Sequence, residues 1–410
     1  MPDAVTPATS LLWSASRPHA LWLTPTEAVA RAQALAPGFR ARAVEVETLR
    51  QLPRQSVDEL RDSGLFKIAL PRRWGGSELP PEVWVDVIAE VAAACGSTGW
   101  VYGVLLGHVW LVSQFPLEAQ SEVFTNPDSL VASLIRLGGT VERVAGGYRW
   151  RAAAGAFCSG VDHSDWVVVG GSVPSDQGPP EARWFLIPRS DFLIEDDWFA
   201  TGLKGTGSKS LRVPDAFVPE HRSIRQADLE AGNSPGRAIN PGPLYRLPGS
   251  TWSFVLPATP VGIARGAVAA ARATLQRRFA SLPEAHVADH SANLERFARA
   301  STDVDVAYLL LQRAARRLME GAERPLSPAE RTVQRRDIGY AVQQARHAVN
   351  TLFELTAGHG IYESSDLQRM WRDVNAAAAH FGLSWEPAAV AYARSSLGLP
   401  PAKSDRRATR

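Results

Sequence analysis

One imidazole stands inside an otherwise apolar stretch. Ser97 to Phe115 runs through Trp100, Val101, Val104, Leu105, Leu106, Val109, Trp110, Leu111 and Val112, and His108 is its one side chain that titrates near neutral pH. A segment apolar on most faces predicts a central helix buried in a bundle. An imidazole there could serve as an acid or base near neutral pH, and a histidine satisfied within the core fits the same pattern. Other chemistry-bearing signatures are missing. There is no phosphate-binding P-loop, no Gly-x-Ser-x-Gly and no His-Glu-x-x-His. Gly205-Thr-Gly-Ser-Lys209 superficially suggests a phosphate cradle, but no helix pattern follows it, so a loop between strands is expected. Cys95 and Cys158 belong to no Cys/His cluster. A zinc site is therefore not expected, and two buried thiols in a reducing cytosol are. Thirteen tryptophans are present; several around one pocket would favour a flat aromatic ligand.

Those residues need a frame. The 410 residues carry a net charge of +2 and 45% hydrophobic residues, enough for several domains with large cores. Without a concentrated basic face, nucleic acid is not an expected partner. No apolar run reaches the ~20 residues of a membrane span and no signal peptide is evident, so a cytoplasmic protein is expected. The pattern divides into an irregular arm (1–24), a helical N-terminal domain (25–126), a β domain (127–225), a C-terminal helical bundle (226–399) and a frayed tail (400–410). Thr24-Pro-Thr-Glu27 and Ser327-Pro-Ala-Glu330 predict capped helix starts, with a break expected at Pro37-Gly38. Leu65 to Pro71 reads as extended. Pro81 to Ala94 is amphipathic. Gly139 and Gly146-Gly147 suit hairpin turns, His163 and Asp165 a tight turn, and Trp166 the core. Gln226 to Leu247 reads as a long connection. Gly262 and Gly266 would let helices approach closely.

Five stretches in order then resemble the acyl-CoA dehydrogenase fold superfamily, and within it the two-component flavin-dependent monooxygenases. They are Leu70-Pro-Arg-Arg-Trp-Gly-Gly76, Gly96-Ser-Thr-Gly-Trp100, Phe157-Cys-Ser-Gly-Val-Asp-His-Ser-Asp-Trp166, Trp198-Phe-Ala-Thr-Gly-Leu-Lys-Gly-Thr-Gly-Ser208, and Leu367-Gln-Arg-Met-Trp-Arg-Asp373 with His380. The resemblance implies an α+β, mostly α fold: a helical N-terminal domain, a central antiparallel β domain and a C-terminal four-helix bundle. It also implies reduced FMN or FAD delivered by a separate NAD(P)H:flavin reductase, dioxygen as co-substrate, a hydroperoxide at flavin C4a, a small aromatic or polycyclic substrate, and a homotetramer.

Residue by residue, the resemblance places His108 beside the substrate, Ser133 on the substrate or flavin side, and His380 beside flavin and substrate. Ser159, within Phe157-Cys158-Ser159, falls where the family meets flavin N5. Thr206 and Ser208 could donate hydrogen bonds near the flavin. Arg246 falls near the pocket mouth or the flavin, and Arg277 with Arg278 where flavin phosphates are held across a subunit interface. Acyl-CoA dehydrogenases of the common type carry a glutamate base soon after the Arg-Asp pair. Here Arg372-Asp373 is followed by Val-Asn-Ala-Ala-Ala-Ala-His380, which favours hydroxylation over dehydrogenation. An N- or S-oxygenase, a true dehydrogenase and a non-catalytic aromatic-binding protein are the alternatives.

Overall fold

The computed structural model describes residues 22–175, 178–280, 283, 286 and 290–402; most of the expected arm and of the tail lies outside them. Thr24 accepts from the Glu27 backbone N–H while the Glu27 carboxylate accepts the Thr24 N–H, so a capping box opens α1 (Pro25–Ala41). Pro37 does not break this helix as expected. Phe39, buried two residues later, holds the last turn against the core. α2 (Ala43–Leu49) and α3 (Arg54–Asp62) follow. Leu65 to Pro71 is not extended. It begins with a 3₁₀ turn over Leu65–Lys67, and Leu65, Phe66, Ile68, Ala69 and Leu70 are all buried. A continuous apolar run has no period to separate strand from turn.

Then come α4 (Pro81–Ala94), α5 (Gly96–Val112) and α6 (Leu117–Phe124). Every residue of α5 is buried.

The central domain holds two four-stranded sheets. Its strands are β1 (Val131–Leu134), β2 (Thr140–Val144), β3 (Gly147–Cys158), β4 (Trp166–Val173), β5 (Glu181–Pro188), β6 (Leu193–Glu195), β7 (Lys209–Pro219) and β8 (Ser223–Arg225). One sheet runs β1-β4-β5-β8 and the other β2-β3-β7-β6. Pairing is antiparallel except between β1 and β4. Gly146 turns the β2–β3 hairpin as expected, but Gly139 does not join a hairpin: β1 and β2 belong to different sheets. β3 carries a bulge between Gly155 and Cys158, where Phe157 adopts φ 72.

The expected connection after β8 contains α7 (Gln226–Glu230), α8 (Pro235–Ile239) and a 3₁₀ turn over Pro243–Arg246. α9 (Ala258–Phe279), α10 (Ser291–Glu320), α11 (Pro328–Glu354) and α12 (Asp366–Ala378) pack as a bundle, with α13 (Trp385–Ser396) against α11. α9 also lies on α4. A Cβ at Gly262 would sit 2.6 Å from the Ala89 carbonyl oxygen, and one at Gly266 2.3 Å from that of Ala93. Glycine is what lets these helices close. Among the described residues one segment, Gly249–Phe279, is long and apolar enough to cross a membrane by length and composition; most of it is buried inside the protein, as a core helix would be.

Candidate active site

His108 reaches from α5 to β1. Its Nδ1 lies 2.8 Å from the Val131 carbonyl oxygen, and its Nε2 lies 2.7 Å from Ser133 Oγ. A carbonyl oxygen can only accept, so Nδ1 carries the hydrogen and Nε2 presents its lone pair to the serine hydroxyl. Burial pushes the imidazole pKa down to about 4, with the Val131 carbonyl opposing the shift. His108 is therefore neutral at physiological pH, in one tautomer. Trp252 places its ring 6.0 Å from the imidazole and meets Trp184 edge-on at 5.5 Å. Ser133 is half-buried, so this pair faces an accessible space.

Ser159 marks a second polar centre, where β3 leaves its bulge. The bulge turns Phe157 outward, 72% exposed, while the Cys158 thiol is fully buried. Ser159 Oγ accepts from Trp100 Nε1 at 3.1 Å and lies 2.7 Å from Ser208 Oγ. Ser208 Oγ lies 2.7 Å from Thr206 Oγ1, which donates to the Leu203 carbonyl at 2.9 Å. Leu203 takes a left-handed φ of 50, and the buried Asp373 carboxylate accepts its N–H at 2.6 Å. Burial pushes the Asp373 pKa up to about 6. His380 borders the same region, its ring 5.8 Å from that of Trp100. Its Nδ1 accepts from the Gly382 N–H at 3.1 Å, so in the neutral ring the hydrogen is on Nε2. Burial lowers its pKa too.

One face of α5 joins the two centres. Trp100 and Val104 keep 7% exposure and His108 3%, against 0% for Tyr102, Leu105 and Leu106. The i, i+4, i+8 spacing puts the three in one stripe, spanning about 12 Å at the helical rise. The site is therefore a narrow apolar wall with a hydrogen-bonding group at each end.

The structure thus gathers His108 with Ser133, and Ser159, Thr206, Ser208 and His380 around Trp100. Thr206 and Ser208 are buried with their hydroxyls bonded to each other, rather than free to donate outward as expected. Arg246 is exposed and bonds the Pro241 carbonyl, and among the described residues no hydrogen bond joins it to either centre. Arg277 lines a separate cleft of about 850 Å³ with Arg40 and Arg278, between α9 and the start of α12. Both cysteines are free and buried. The sequence reading missed Trp100, Val104, Trp252 and Asp373 as site residues. Trp100 and Asp373 lay inside the quoted motifs, but their partners are distant in sequence. Among the described residues no group of three or more His, Cys, Asp or Glu side chains could hold a metal.

The chain has clear relatives. The acyl-CoA dehydrogenase N-terminal domain model matches residues 29–127 and the C-terminal domain model residues 254–385. The chain belongs to this family and, within it, to the flavin-dependent monooxygenases. The oxygenase subunit HsaA of a flavin-dependent monooxygenase from Rhodococcus jostii (strain RHA1) is 35% identical over 380 residues, covering 90% of this chain and 98% of that protein. The oxygenase component of an FADH2-dependent resorcinol hydroxylase from Rhizobium sp. (strain MTP-10005) is 34% identical over 395 residues, covering 91% and 94%. The solved structure of XiaF from Streptomyces sp., in complex with FADH2 and glycerol, superposes with a TM-score of 0.83 at 28% identity, covering 92% of this chain and 97% of that one.

Proposed function

We propose that this chain is the oxygenase component of a two-component system that hydroxylates an aromatic ring bearing a phenolic hydroxyl. The observation that carries this reading is the His108–Ser133 pair at the end of an apolar wall. A phenol can donate to Ser133 Oγ while Ser133 donates to His108 Nε2, giving the proton a path to the imidazole. Alone, an imidazole with a pKa near 4 is a weak base. A phenolate forming about 4 Å away would favour the imidazolium by roughly 4 kcal/mol at an effective dielectric of 20, enough to lift it back toward neutrality. Ionisation makes the ring carbons more electron-rich, which suits attack on an electrophilic oxygen.

The residues around Ser159 fit a flavin: a row of hydroxyls, the aromatic faces of Trp100, Phe157 and Trp198, and the Nε2–H of His380. Reduced FMN or FAD, when bound, activates dioxygen and supplies the oxygen atom. The chain's own part is to hold the ring against Val104, move the phenolic proton and keep water out. The reduced flavin comes from a separate NAD(P)H:flavin reductase. The three arginines of the 850 Å³ cleft suit flavin phosphates, and its openness to the surface is consistent with a homotetramer in which a neighbouring copy completes it. The test is turnover of a panel of phenols with chemically reduced flavin under ¹⁸O₂. A product gaining one labelled oxygen supports the reading, and release of peroxide alone with every phenol contradicts it.

A further inference from the structure

Two glycines seat an aromatic corner beside His108 and Ser133. Side chains alternate between the faces of a sheet, so residues paired across strands, and those two apart along one strand, share a face. Ser133 is paired with Val168, and Val168 with Leu186. Two residues along β4, Gly170 is paired with Trp184. Trp184 therefore stands on the face that carries Ser133, with β4 between their strands. Gly170 has no side chain to fill the gap. Cζ3 of the Trp184 ring comes 3.2 Å from where a Gly170 Cβ would be, and the Ile135 carbonyl oxygen 2.0 Å from it. The indole thus leans across β4 towards β1, and glycine leaves space for both the ring and the chain leaving β1.

Trp252 forms the other wall. It belongs to a 3₁₀ turn over Gly249–Ser253 that docks on α5, where a Cβ at Gly107 would sit 2.2 Å from the Trp252 carbonyl oxygen. Gly107 precedes His108, so this close approach sets the Trp252 ring beside the imidazole. The two indoles meet at 77°, an edge-to-face arrangement. Trp184 is 6% exposed, and Trp252 is half-buried like Ser133. The corner therefore borders the space that the serine faces.

We infer that Trp184 and Trp252 are specificity-determining residues that bar bulk from one side of the substrate's phenolic hydroxyl. The inference rests on the proposed binding of a phenol at the His108–Ser133 pair and narrows it to a substrate class. A hydroxyl bonded to Ser133 has a ring carbon on either side of its own. The one turned to the indoles meets a wall held by close backbone contacts at Gly107 and Gly170. A phenol with one bare neighbouring carbon can turn that side to the corner, and a phenol substituted at both cannot. Further rings must extend away from the hydroxyl. The substrate is thus a phenol whose hydroxyl stands at an end of the molecule, with at least one bare carbon beside it.

The experiment measures Kd by equilibrium dialysis of the full-length protein with two isomers, 3,4-dimethylphenol and 2,6-dimethylphenol. They carry the same groups and differ in where the methyls stand. Shielding of the hydroxyl by its own methyls is the same in every variant, so the change in the Kd ratio between proteins reports the wall. The wild type should bind the 2,6-isomer more weakly. Trp184→Leu and, independently, Trp252→Leu should lower the ratio of 2,6- to 3,4-isomer Kd by roughly 10-fold or more, the discrimination one methylene commands in an apolar pocket. The 3,4-isomer should keep most of its affinity. An unchanged ratio in both variants, including equal weakening of both isomers, would show that the indoles only brace the fold; it would overturn the inference and leave the phenol site standing. A wild type that binds neither isomer would remove the phenol site itself, and the inference with it.

Discussion

The two histidines at the ends of the apolar wall present opposite groups. His108 is buried on a helix, has its Nδ1–H fixed by the Val131 carbonyl, and points an Nε2 lone pair at Ser133. His380 is half-buried where α12 gives way to a 3₁₀ turn, accepts the Gly382 N–H at Nδ1, and carries its hydrogen on Nε2. One end of the wall can take a proton from a substrate hydroxyl, and the other can donate a hydrogen bond to an oxygen gaining charge. Hydroxylation of a phenol by an activated oxygen can use both, and here they lie about 12 Å apart along the helix. The stripe of Trp100, Val104 and His108 on α5 sets that separation.

Removing the acceptor end should have the largest effect. His108→Ala is expected to lower hydroxylation of a phenol by roughly 100- to 10,000-fold, the range for a lost general base. Product formed per flavin oxidised is the measurement, because flavin reoxidation by oxygen continues as peroxide release. If the coupled yield holds, the two ends are not divided as described.

The same residue leaves a mark on stability. The folded-state pKa of His108 is pushed down to about 4, so its contribution is present above the unfolded value near 6.5 and is lost as pH falls through 4. The difference amounts to up to about 3 kcal/mol. Asp373, pushed up to about 6, acts in the opposite sense: its contribution is present at low pH and is lost as pH rises through 6. Urea unfolding of wild type and His108→Gln at pH 4.5 and 7 separates them. The stability gained between these pH values should be smaller in the variant.

At the donor end, His380→Ala should lower the coupled yield by about 100-fold, the low end of the range for loss of one oxyanion donor, without abolishing phenol binding measured by equilibrium dialysis. The smallest change concerns the wall between the ends. Val104→Phe should lower kcat/KM for 2-naphthol about 10-fold more than for phenol, by adding bulk to the wall, and Val104→Ala should shift the ratio the other way. An unchanged ratio in both would place the ring elsewhere.

Much of this arrangement is legible in the chain. α4 begins and ends where its periodicity places it, and the capping boxes at Thr24 and Ser327 start α1 and α11. These signals are local, carried by residues three or four apart. Leu65 to Pro71 misleads because an apolar run lacks a period. Pro37 misleads because burial of Phe39 outweighs a lost hydrogen bond. The site is only half legible. Ser159 and His380 sit in the resembling stretches, His108 in a buried apolar run and Ser133 on the first strand, but the sense of each hydrogen bond depends on partners up to 59 residues away, as with Trp100 and Ser159. The outward turn of Phe157 comes from a bulge that its neighbours in sequence do not announce.

The most direct test is rapid mixing of the protein, loaded anaerobically with reduced FMN or FAD, against oxygenated buffer with and without a phenol. The account predicts a persisting absorbance of oxygenated flavin, distinct from oxidised flavin, and its decay to hydroxylated product when the phenol is present. Immediate return to oxidised flavin under both conditions, with peroxide as the only product, would contradict it.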